Sequence, residues 1–194
     1  MTNAVEICNR ALLRCGHSPI DSLDDLTRAG KLAKAEYENM RREKMSGHPW
    51  DFATQQVDLG PELVGTEPLD VRYDQRHALP AGWGWVRSIW QEGKPVSDWR
   101  VFGNTVMIVA HSDEQPVAEI TFDMDEDTMP GFFIDCLVAE MTYIFCAGLT
   151  GKAELTADFF EKAEIKWARA RRQSAQMKSP PRVYRRNRFI LARN

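Results

Sequence analysis

The sequence predicts an α+β protein: a four-helix bundle, a small antiparallel β-sheet inserted between helices two and three, and an extended C-terminal arm. Three observations carry this reading. Apolar residues recur at helical spacing towards both ends of the chain. β-Branched and aromatic residues punctuated by Gly and Pro fill the middle. A double proline, Pro180-Pro181, cuts the last helical pattern off from an arginine-rich tail. The bundle is expected over residues 1–50 and 127–178, the β-rich insertion over 51–126 and the arm over 179–194. A chain of 194 residues that is 43% hydrophobic can build such a core.

The first helix rests on Ala4, Cys8, Ala11 and Cys15, with Val5, Ile7 and Leu12 widening the apolar face. Asn3 with Glu6 three residues on has the form of a capping box, and Gly16 is the natural stop. A second helix is expected from Ser22, with Asp25 in its N3 position and Leu26, Ala29, Ala33, Tyr37 and Met40 as the buried stripe. Lys31, Lys34, Glu38, Arg41, Arg42 and Lys44 fall mostly off that stripe, and Gly47 and Pro49 end the helix. In the insertion, Val86 to Trp90 reads as a strand. Trp99–Phe102, Gly103-Asn104 and Thr105–Val109 read as a hairpin, and Val117–Phe122 as a further strand.

Pro130 suits the opening of the third helix. From Phe132 to Leu149 nearly every face is apolar, which predicts a helix surrounded by others. Asp135 and Glu140 interrupt the run, so a buried core helix is expected and no membrane span. Thr150-Gly151 breaks it. The last helix carries Phe159, Phe160, Ala163, Trp167 and Ala170 as its stripe.

Charge is unevenly placed along the chain. The net charge is −3, but residues 51–126 hold 14 acidic and 5 basic side chains, and residues 161–194 hold 2 acidic and 11 basic. A basic arm on an acidic body points to docking, including docking to further copies of the chain. The arm carries Arg182, Arg185, Arg186 and Arg188 together with Val183, Tyr184, Phe189, Ile190 and Leu191. Ordering this segment costs more backbone entropy than burying its apolar side chains returns, so it is expected to order only against a partner. The apolar residues concentrate at its far end, where a solvated tail has no use for them.

Other motifs read as structural. Cys8 and Cys15 lie about 10 Å apart along one helix, too far for a disulfide or a shared metal there. With Cys136 and Cys146 they are expected as free thiols of a protein made in a reducing compartment. Asp123, Asp125, Glu126 and Asp127 start like a calcium loop. Thr128 and Ile134, however, stand where that loop needs Gly and Glu, so the acids are read as favoured by the dipole of the following helix. Gly148-Leu-Thr-Gly-Lys152 lacks the preceding strand and the Ser or Thr of a phosphate loop. His17, His48, His77 and His111 have no local metal spacing, and no G-x-S-x-G motif occurs. No catalytic, cofactor-binding or metal-ligating residue is therefore nominated. Trp83, Trp85, Trp90 and Trp99 crowd the insertion and are candidates for core, for a subunit interface or for a sugar platform. The first residues lack the basic-then-apolar pattern of a signal peptide, and none is expected.

One ordered set of features points further. The Ala4–Gly16 helix and the second helix lead into His48-Pro49-Trp50-Asp51-Phe52-Ala53. Tyr73 and Leu79-Pro80 precede strands, Gly103-Asn104 divides two strands, and Met129-Pro130 opens the apolar helix. The last helix ends in a charged tail. In this order the chain resembles, over nearly its whole length, the head-to-tail adaptors of short-tailed bacteriophages, of the tail tubular protein A type. The resemblance implies a ring of twelve subunits beneath the portal, joining the DNA-filled head to the tail tube or nozzle and continuing the DNA channel. It implies a structural virion protein rather than an enzyme, with no cofactor. The implied partners are its own copies, the portal protein, the tail tube or nozzle protein, and passing double-stranded DNA without sequence recognition. Its place would be the head–tail interface of the virion, after synthesis in the host cytoplasm.

Two readings from other classes compete. A carbohydrate-active or sugar-binding virion protein would use the tryptophans with the acids at 123–127, and needs two carboxylates about 5 to 9.5 Å apart beside exposed rings. A nucleic-acid-binding module would use the arm, and predicts tight, salt-sensitive binding.

Overall fold

The apolar run after Pro130 sets the centre of the helical layer. In a computed structural model, which describes residues 2–63 and 71–177, it forms α3, Gly131–Phe145, with Pro130 at its N-cap. Phe133, Leu137, Val138, Met141 and Phe145 are all buried on it. α3 packs at length against α1 (Ala4–Arg14) and α4 (Ala153–Gln176), and over a shorter stretch against α2 (Arg28–Ser46). The 20-residue segment Gly131–Thr150 is apolar and long enough to cross a membrane by composition, and 61% of its most apolar window is buried inside the protein. Its two charges are both answered. Asp135 meets Arg10 at 2.6 Å on the rim, and Glu140 is buried against α2 and α4.

The helix ends follow local chemistry, with one correction. The Asn3 side chain accepts the Glu6 N–H at 2.9 Å, the forward half of the capping box. The second helix starts later than expected, at Arg28 instead of Ser22. Ser22 and Asp25 instead close a turn, in which Asp25 accepts the Asp21 N–H at 2.9 Å, and Thr27 is the N-cap that receives Gly30 N–H at 3.1 Å. A Cβ at Gly30 would lie 2.5 Å from the Asp25 carbonyl oxygen, so this turn is folded tightly onto the helix it precedes. Leu26, expected in the buried stripe, is left 85% exposed.

The fold class expected from sequence is corrected in two respects. The segment between α2 and α3 builds two antiparallel sheets rather than one. β1 (Thr54–Asp58), β7 (Val117–Phe122), β3 (Trp83–Gln91) and β4 (Lys94–Pro95) form a four-stranded sheet in that order. β2 (Gln75–Ala78), β6 (Thr105–Ile108) and β5 (Trp99–Phe102) form a three-stranded one. Ile89, Ala118 and Ile120 from the first sheet and Val106 and Ile108 from the second share one core with Leu59, Leu79 and Val96. Short strands with so apolar a face need a second layer to cover them, and the two sheets cover each other. Second, the helices are not a bundle closed on itself. Phe52, Trp85 and Met124, all from the β-rich segment or its ends, pack against the helical core.

β3 makes this double duty possible. Its register against β7 shifts between Trp83 and Trp85 and again between Val86 and Ser88. Trp83 and Val86 therefore pack with Ile89 in the sheet core, at spacing three, while Trp85 turns to the helical core. A Cβ at Gly84 would lie 2.8 Å from the Thr121 carbonyl oxygen, so the first bulge brings backbone against backbone where only glycine fits. The hairpin between β5 and β6 turns on Gly103 and Asn104, with φ of 55° at Gly103 alone, as a two-residue turn with Gly first requires.

Candidate docking surfaces and the joint between helices and sheets

The segment His48–Ala53 is the joint of the molecule. Trp50, 1% exposed, is its hub: the ring lies edge-on to Phe133 at 5.0 Å and 5.9 Å from Trp167. Its indole N–H donates to the Lys44 carbonyl in the last turn of α2 at 2.9 Å. One residue on, the Asp51 N–H donates to Ser174 Oγ, fixing the end of α4 to the same segment. Glu140 closes the cluster from α3, accepting the Trp167 indole N–H at 2.8 Å and facing Lys44 Nζ at 3.0 Å. A buried carboxylate is tolerated because both oxygens are engaged by donors.

Two arginines tie the strands to α2. Arg41, 7% exposed, donates to Asp123 Oδ1 and to the Met124 carbonyl, both at 2.7 Å, and to Glu38 at 2.9 Å. Glu126 lies 3.7 Å from it and accepts the Tyr37 hydroxyl at 2.9 Å. Burial works against the charge on Arg41, but the bonds to Glu38 and Asp123 overcome it and hold the guanidinium above its ordinary value. Tyr37 is pushed up by burial and then by the Glu126 charge, so it stays a donor. Arg87, in the second bulge of β3, donates to Thr121 Oγ1 at 2.9 Å and to the Ser46 and His48 carbonyls at 3.1 and 3.0 Å. It thereby satisfies carbonyls left over at the C-terminal end of α2.

The sequence-based candidates fall in different places. The arm residues Arg182, Val183, Tyr184, Arg185, Arg186, Arg188, Phe189, Ile190 and Leu191 lie outside the described residues. The four tryptophans are each half-buried and are not gathered into one platform. Trp83 and Trp99 pack on the sheet core and Trp85 on the helical core, and Trp90 donates its indole N–H to Ser88 Oγ at 2.9 Å. Asp123 and Glu126, expected to answer the dipole of α3, are instead held by Arg41 and Tyr37. His77 is buried, with Nδ1 3.0 Å from the Gly60 carbonyl oxygen. The four cysteines are free. Burial pushes the thiols of Cys8 and Cys136 up to about 12, and that of Cys15 to about 11. Among the described residues no three His, Cys, Asp or Glu side chains gather as a metal cluster, and every buried side-chain nitrogen and oxygen has a partner.

Sequence reasoning placed Arg41 mostly off the buried stripe, yet it stands four residues after Tyr37, on the same helical face, and that spacing was the available signal. Arg87 carried no such signal, because the bulge that turns it inward depends on strand pairing. Compared with known proteins, the chain matches no family model and no curated relative.

Among the concave surfaces of the described residues, two stand beside the joint and the α3–α4 corner. A cleft of about 250 Å³ beside Trp50 and Trp167 carries mixed charge from Glu43, Glu164 and Arg171. A wider groove of about 430 Å³ runs between the end of α3 and the start of α4, floored by Tyr143, Ala147, Ala157 and Phe160. Phe160, expected in the buried stripe of the last helix, stands 49% exposed here, edge-on to Tyr143 at 5.3 Å. The stripe that α4 buries is Ala163, Trp167, Ala170 and Ser174.

Proposed function

We propose that this chain is the structural head-to-tail adaptor of a short-tailed bacteriophage. In this role it forms a ring, of twelve copies by the resemblance, that joins the portal to the tail tube or nozzle and continues the DNA channel. The observation that supports it is the order of motifs along nearly the whole chain, taken with where those motifs sit. His48–Ala53 is the hub between helices and sheets, Leu79 belongs to the sheet core, Gly103-Asn104 turns the β5–β6 hairpin, and Pro130 caps the core helix. The resemblance thus rests on the joints of the fold rather than on composition.

The physical features agree with such a role. Buried polar clusters around Arg41, Arg87 and Glu140 are spent on holding the two halves together, which suits a part that transmits load. In a ring, the acidic 51–126 segment placed towards the channel would present DNA with a wall it does not adhere to. The test is extract complementation. Particles made without this chain should hold DNA but lack tails, and adding the purified protein should restore tail attachment and infectivity. Tailed, infectious particles formed in its absence would overturn the proposal.

A further inference from the structure

α4 is divided by charge. Its first half carries Glu154, Asp158, Glu161 and Glu164 against the single cation Lys162; from Ile165 onwards it carries Lys166, Arg169, Arg171 and Arg172 and no acid. The helix dipole favours this sense only within the first and last turns, and Glu161 and Glu164 lie beyond the first. Asp158 is held by Lys162 at 2.6 Å, whereas Glu154, Glu161 and Glu164 are exposed and, among the described residues, form no ion pair. The groove floored by Tyr143, Ala147, Ala157 and Phe160 takes its α4 wall from this half; the acids are not in its lining but stand around it, Glu164 on the side of the Trp50 cleft. A π-helical turn at Cys146–Thr150, ended by Gly151 at φ 66°, makes the corner that holds it open, and the small side chains Ala147, Ala153 and Ala157 keep its walls low.

We propose that this groove receives the C-terminal arm of a second copy of the chain. Phe189, Ile190 and Leu191 would lie on the apolar floor, and the arm's arginines against Glu154, Glu161 and Glu164. Charge and chain length choose the occupant. Residues 178–194 carry 6 basic side chains and no acid, so their sign and their apolar triplet both match the groove. They follow Met177, at the basic end of α4, about 30 Å along the helix from Ala157. To reach its own groove the arm would run back over Arg171, which lies in line with the groove face of α4 beside Glu164 and carries the arm's own sign. The groove of another copy offers the acidic face without that repulsion. The contact is head-to-tail, the kind that closes a ring when repeated about an axis. It deepens the adaptor reading and rests on it only for closure into a ring.

The test uses the full chain with Phe189→benzoylphenylalanine, mixed with an equal amount of isotopically labelled unmodified chain, irradiated and mapped by mass spectrometry. Mixed-isotope cross-links to the peptides holding Tyr143, Ala147 or Phe160 are expected. Ala157→Arg in the acceptor should lower their yield by about ten-fold or more. Glu161→Lys with Glu164→Lys should also weaken them, and Arg185→Glu with Arg186→Glu in the arm should restore them. Cross-links within single copies only, cross-links elsewhere, or none would overturn the proposal. Portal binding is read separately: a chain that cross-links in this way yet ignores the portal keeps the contact and loses the adaptor role.

Discussion

Position 41 of α2 holds an arginine where the helical stripe offers a buried site, and its partners explain why it is tolerated. Removing the side chain takes the cation from Glu126 and leaves Asp123 with Arg42 alone, 3.8 Å away. Arg41→Met should cost about 1–3 kcal/mol, less than a fully buried pair because the carboxylates left behind are partly solvated, read as a lower urea midpoint. Glu38 is held below its ordinary value of 4.5 chiefly by its hydrogen bond to Arg41, so its share of stability is present above that value and is lost as the pH falls through the lowered native one. His48 behaves in the same sense for a different reason. Burial, then Arg171 and Arg87, hold it below 6.5, with Asp51 opposing. As the pH falls below 6.5 the unfolded chain takes up the proton first, and stability drops until the native value is passed. Thermal midpoints measured from pH 7.5 to 5 should decline, and His48→Gln should flatten that decline; an unchanged slope in the variant would contradict the assignment.

At the scale of elements, β3 carries the largest structural demand, because one strand serves two cores. Gly84→Ala should cost about 1–3 kcal/mol, since the new methyl meets the Thr121 carbonyl oxygen of the neighbouring strand. Gly131→Ala, whose Cβ meets nothing within 4 Å, is the control and should be neutral or mildly stabilising by thermal denaturation. The same strand shows where the sequence could be read and where it could not. α1, α3, α4, the β5–β6 hairpin and β7 were legible because apolar periodicity and a Gly-Asn turn are local signals. Of β3 the stretch Val86–Trp90 was legible as a strand, but its facing was not: the core-facing Trp83, Val86 and Ile89 recur at three, a spacing made by two bulges that only pairing with β7 creates. β1, Thr-Gln-Gln-Val-Asp, and β2, Gln-Arg-His-Ala, are polar edge strands specified by their neighbours rather than by their own pattern. The start of α2 misled for a local reason: Ser22 and Asp25 have the chemistry of a cap and use it to close a turn.

At the scale of the whole molecule, the division of labour is between an interior that binds the halves together and an exterior divided by sign. Trp50, Arg41, Arg87 and Glu140 account for the first. The polarised α4 and the exposed acids of the described part of 51–126 account for the second. Of the candidate site, the aromatic motif at 48–53 was legible in the sequence; the groove beside Phe160 was not, because it arises where a π-turn joins two helices. Assembly on a portal is the role proposed for this exterior. It is tested most directly by native mass spectrometry of the full chain, alone and with the cognate portal ring, with and without residues 179–194. A stoichiometric ring of the chain on the portal, lost on truncation, is expected. A chain that stays monomeric and indifferent to the portal would contradict it.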